Sequence, residues 1–77
     1  MDLVRALNQL HKARSFVIDG EKCLGQHRRM LDRLEREGCD TLDAILFLEY
    51  LEEVQEQYVA HQDRLEKQVM GLVKPER

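Results

Sequence analysis

Tryptophan is missing from this chain of 77 residues, and phenylalanine and tyrosine occur twice each. So few large aromatics argue against a compact β domain, whose strands draw on them. The single proline is Pro75, near the end, so no proline breaks a helix over the preceding residues. There is one serine, Ser15, and one threonine, Thr41. A nucleophile activated by a neighbouring base therefore has few candidates. Cysteine occurs twice, as Cys23 and Cys39. Sixteen helical residues separate α-carbons by about 24 Å, far beyond the roughly 7 Å a disulfide spans. Reduced thiols in a reducing compartment are the expectation. No apolar run approaches the length of a membrane span. Asp2, Arg5 and Asn8 interrupt the N-terminal segment, which lacks the pattern of a secretory signal. A cytoplasmic protein follows as the expectation.

What is present is charge and aliphatic bulk. Charged residues make up 35% and apolar residues 43%, a helical-bundle composition rather than a disordered one. The net charge of −3 gives the molecule no general attraction for nucleic acid or anionic lipid. Leu3, Leu7, Leu10, Ala13, Val17, Gly20, Leu24, His27, Leu31 and Leu34 recur in steps of three and four. That is the helical template, with a mean repeat near that of a left-handed supercoil. Ala44, Leu51, Tyr58, Leu65 and Leu72 recur every seven residues. Leu48, Gln55 or Val54, Gln62 or His61, and Val69 fill the intervals.

Between the two stripes lies Glu37-Gly38-Cys39-Asp40. Gly38 suits the left-handed residue past a helix end, and Asp40 or Thr41 can cap the next helix. The predicted fold is an all-α antiparallel two-helix hairpin: helix over 2–37, turn at 38–40, helix over 41–72. It forms a single domain over 1–77 with a frayed tail at 73–77. The alternative is an uneven three-helix bundle broken at Asp19-Gly20, but the stripe keeps its phase through Gly20. Folding at residue 39 sets position i beside 78 − i, so Arg29 is expected beside Glu49 and Lys22 beside Glu56.

A lone hairpin leaves too much apolar surface wet. Phe16, Ile18, Cys23 and Met30 widen the first helix, and Ile45, Leu46, Phe47 and Tyr50 the second. These eight residues are the predicted interface, because patches of this kind meet a partner. Two hairpins pairing into a four-helix bundle would cover them. An unidentified protein partner is the rival occupant.

From Gly20 to Leu65 the chain resembles a family of small uncharacterised helical-hairpin proteins common in alphaproteobacteria. The matching residues are Gly20-Glu21, Leu24, Gln26 with Arg28, Leu34-Glu35-Arg36, Gly38, Asp40-Thr41 and Ala44, then Leu48, Leu51-Glu52 and His61-Gln62-Asp63-Arg64-Leu65. The turn signature Leu-Glu-Arg-x-Gly-x-Asp-Thr is the most specific part. Gln62 stands where the family often has arginine, and Met1 to Asp19 lies largely outside the resemblance. It implies a helical hairpin and a cytoplasmic bacterial protein, and it brings no activity, ligand or partner.

Chemistry at a site finds little footing. Di-iron bundles use Glu-x-x-His, but Asn8, Leu24 and Tyr58 stand three residues before His11, His27 and His61. Neither metal nor cofactor is expected, and neither is enzyme activity. Arg28, Arg29, Arg33 and Arg36 form a basic run which, with Phe16 for stacking, makes RNA binding the first functional alternative. The facing glutamates and the acidic total weigh against it. His27-Arg28-Arg29 and the Ser15…Asp19 spacing make a modulator of bacterial phosphotransfer signalling the second alternative. The reading favoured is a non-enzymatic structural or protein-interaction module, a homodimeric hairpin.

Overall fold

A computed structural model describes residues 2–73. Two helices account for them, α1 over Leu3–Arg36 and α2 over Leu42–Val73, lying antiparallel. α1 runs unbroken through Asp19 and Gly20, so the three-helix alternative is excluded. The expected tail at 73–77 lies outside the described residues, apart from Val73, which ends α2.

Each helix end has a local cause. Asp2 precedes α1 in extended conformation and its carboxylate accepts the Arg5 N–H at 2.8 Å, an N-cap. At the other end Gly38 takes φ +73°. The Cys39 N–H donates to the Leu34 carbonyl at 3.0 Å, and the Gly38 N–H to the Glu35 carbonyl at 3.2 Å. This pair of bonds is a Schellman motif, and it satisfies carbonyls that the helix end would otherwise orphan. Asp40 then accepts the Leu42 N–H, and the Thr41 carbonyl receives the first bond of α2 from Ile45. The reversal takes five residues.

The molecule measures 62 × 18 × 14 Å, one helix thick, so only the seam between the helices can be buried. On α1 the buried and half-buried line is Ala6, Leu10, Ala13, Val17, Gly20, Leu24, His27, Leu31 and Leu34. Opposite it run Thr41, just before α2, and on α2 Ala44, Leu48, Leu51, Gln55, Gln62, Leu65 and Val69, with Tyr58 closing the gap at 37% exposure. Both lines are strict heptad seams. One sequence expectation needs correction here. Ala6 takes the first buried position, fully enclosed, while Leu3 and Leu7 stay exposed. The reason is phase: residue 6 lies four before Leu10 and seven before Ala13, on the same face. Of the alternatives the sequence left open, Gln55 and Gln62 rather than Val54 and His61 hold the central line of α2.

Packing is uneven along the hairpin. Leu10, Ala13 and Leu65 form the buried cluster near the open end, with Val69 against it. Towards the turn Leu31, Leu34, Ala44, Leu48 and Leu51 are only half-buried.

Candidate interaction surface

The register is fixed by pairs on the two flanks of the seam. Phe16 stacks on Tyr58 at 5.4 Å and His27 meets Phe47 edge-on at 5.0 Å. Arg14 pairs with Glu66 at 3.4 Å, and Arg28 with Glu52 at 3.1 Å, across the other flank. The paired numbers add to 74 on the first flank and 80 on the second, centred on 77 against the 78 expected from the turn. The predicted partners Arg29–Glu49 and Lys22–Glu56 are not among these ion pairs. Lys22 and Arg29 lie on the back of α1, whereas Arg14 and Arg28 directly flank the seam.

The two flanks differ in chemistry. On the first, Phe16, Cys23 and Met30 lie one heptad apart on α1, and Phe47 and Val54 one heptad apart on α2. Helices with apolar residues at both seam positions and one flank are the kind that build bundles. Phe47 stacks on Tyr50 at 6.3 Å, which extends the strip. Phe16, Phe47 and Tyr50 remain 54%, 47% and 58% exposed. Between Phe16, Cys23, Leu51, Val54 and Tyr58 lies a groove of about 240 Å³ whose floor is Gly20 and Gln55.

That floor is built from a polar contact inside an apolar seam. Gln55 is buried; its Nε2 donates to the Val17 carbonyl at 2.9 Å and to the Glu21 carboxylate at 3.3 Å. Its Oε1 has no hydrogen-bond donor and lies where a β-carbon on residue 20 would stand. Gly20 thus admits the amide, and the absent side chain explains why α1 tolerates a glycine at its midpoint. A buried polar group of this kind commits helices to one register.

The second flank is polar. Besides the two ion pairs, Gln62 Nε2 donates to Glu66 at 2.8 Å. That hydrogen bond, with the Arg14 guanidinium beside it and against a desolvation cost, holds the Glu66 carboxyl below its ordinary range. An open hollow of about 610 Å³ on this side is rimmed by Glu21, Glu52, Glu56 and Asp63. Among the described residues no three His, Cys, Asp or Glu side chains converge as a metal site would require.

Of the eight residues predicted as interface, the structure gathers Phe16, Cys23, Met30, Phe47 and Tyr50 on the apolar flank. Ile45 lies half-buried on the polar flank, and Ile18 and Leu46 stay exposed away from the strip. Leu51 and Tyr58, read in the sequence as seam residues, line its groove, as does Val54, which the sequence offered only as a seam alternative although residues 47 and 54 repeat at seven just as 16, 23 and 30 do. The basic run is not one face: Arg28 is turned to Glu52, while Arg29 and Arg33 bracket Met30 and Gln26 around a shallow hollow, and Arg36 ends α1. His27 is half-buried against Phe47, and Ser15 and Asp19 are exposed on α1. Cys23 and Cys39 are free thiols, the first half-buried and the second exposed. No described helix is long and apolar enough to cross a membrane. No family model, curated protein or solved structure matches this chain.

Proposed function

We propose that this chain is a non-enzymatic protein-interaction module: a helical hairpin that pairs with a second copy through its apolar flank to form a four-helix bundle, in the reducing interior of a bacterial cell. The observation that carries the reading is surface area. The hairpin exposes 6276 Å². A compact monomer of 9.1 kDa exposes about 4,900 Å². The excess, about 1,400 Å², falls within the range that an obligate homodimer buries on each subunit, roughly 1,000–2,500 Å². The excess has an apolar strip to account for it, with stacked aromatics that lie half in water. The free thiols support the compartment. The turn signature Leu34-Glu35-Arg36-x-Gly38-x-Asp40-Thr41 supports kinship with the alphaproteobacterial hairpins.

Light scattering on the eluting full-length chain at about 50 µM tests the reading. A mass of twice 9.1 kDa is expected, falling to the monomer mass in Phe16→Glu/Phe47→Glu. A wild-type monomer at that concentration would remove the proposal.

RNA binding is the second reading, and the observation favouring it is that Arg29 and Arg33 stand beside Met30, next to the aromatic strip. A gel shift that weakens steeply with salt would support it.

A further inference from the structure

The apolar strip also says how the second copy is oriented, an inference that rests on the self-pairing proposed above. We propose that the two hairpins run in opposite directions about a twofold axis crossing the helices at Cys23, so that α1 lies along α1 of the second copy and the two Cys23 side chains meet.

The position of the axis follows from the limits of the strip. A twofold interface uses the same patch on both copies, and the centre of that patch lies on the axis. Along α1 the strip runs from Phe16 to Met30, and Cys23 is its midpoint. Across this axis Met30 of one copy meets Phe16 of the other, a thioether against an aromatic ring, which is a favourable contact.

The direction follows from charge at the two ends of the strip. Lys12, His61 and Arg64 border it towards the open end of the hairpin, all exposed. Glu37, Asp40 and Asp43 border it towards the turn, also exposed, with Arg33 as the cation among them. Copies running in the same direction would set Lys12 beside Arg64 of the partner twice over. Copies running in opposite directions set Arg64 beside Asp43 and the net-positive border on the net-negative one, with Lys12 near Arg33 as the one like-charge contact, and complementary borders of this kind select orientation.

Burial agrees. With the axis at Cys23, the α1 residues before about residue 10 extend beyond the second copy. In that overhang the seam is already closed, with Ala6 at 0% exposure and, at its edge, Leu10 at 4% with Leu65 at 5%, while Leu3, Val4, Leu7 and Met70 stay exposed outside the overlap. The half-buried seam near the turn lies inside the overlap.

The test uses single-thiol full-length chains, Cys39→Ser and Cys23→Ser, with folding of each checked by circular dichroism. Diamide takes two electrons and the two thiol protons, and the sulfurs join. The Cys39→Ser chain, with Cys23 alone, should cross-link to a dimer at least ten times faster than the Cys23→Ser chain. Spin labels on Cys39 of the latter should lie about 45 Å apart, from the helical rise on either side of the axis. Rapid cross-linking through Cys39, or a short label distance, would overturn the orientation while leaving self-pairing intact. A dimer in which Cys23 fails to cross-link would overturn the position of the axis. A monomer by light scattering would instead remove the reading on which this inference rests.

Discussion

The side-chain amide of Gln55 occupies the volume that a β-carbon on Gly20 would fill. The two residues are thus one feature, and their substitutions should not add. Gly20→Ala gains about 1 kcal/mol of helix propensity. It displaces an amide that makes two hydrogen bonds in a buried setting, at a cost of about 1–3 kcal/mol. A net loss of about 1 kcal/mol is expected by urea denaturation at fixed protein concentration. In a Gln55→Ala background the same Gly20→Ala change should stabilise instead. No change of sign between the two backgrounds would refute the coupling.

Gly38 is needed for its backbone alone. No atom lies within 4 Å of where its β-carbon would be, yet φ is +73°. Gly38→Ala should cost about 1–2 kcal/mol through the left-handed conformation, and Gly38→Asn clearly less, since asparagine visits that region more readily. Equal losses in the two variants would show that the turn depends on something other than φ.

Leu24 and Leu46 are the same residue type with opposite positions. Leu24 is 4% exposed in the seam, and Leu46 is 54% exposed away from the strip. Leu24→Ala should cost about 2–5 kcal/mol. Leu46→Ala should stay within about 0.5 kcal/mol and leave the mass in solution unchanged. A Leu46→Ala chain that shifts towards monomer would return that residue to the interface.

Glu66 should carry a pH dependence that Gln62 controls. The Gln62 hydrogen bond comes first and the Arg14 guanidinium second in holding its pKa down. A carboxyl whose folded pKa lies below its unfolded value stabilises the fold while ionised. That contribution is complete above the usual carboxylate range and is lost as pH falls through the depressed folded pKa. Carboxyl-detected NMR should show Glu66 titrating below the other glutamates, and Gln62→Ala should raise it. If Glu66 titrates with the rest, or ignores residue 62, the assignment fails.

How far the sequence reaches is clearest at the seam. Heptad spacing and the Gly38 reversal place both helices within one residue of their observed limits, and the register within one of its observed centre. The ambiguity lies in phase. Leu7 against Ala6, and Val54 against Gln55, are choices between adjacent residues, and adjacent residues on a helix point about 100° apart. Hydrophobicity favours the leucine and the valine, whereas packing favours Ala6, because small side chains let the helices close, and Gln55, because Gly20 opposite makes room for it.

The sequence by itself determined that there are two helices, where the chain reverses, and that more apolar surface exists than one seam can hide. Each of these follows from periodicity and backbone preference, which are local. Only the tertiary structure decided that Arg14 and Arg28 face glutamates on one flank while Phe16, Cys23 and Met30 line the other. That choice depends on the rotation of each helix about its axis, which is settled by contacts between residues some forty apart in the chain, such as Gln55 with Val17, and not by any neighbour in sequence.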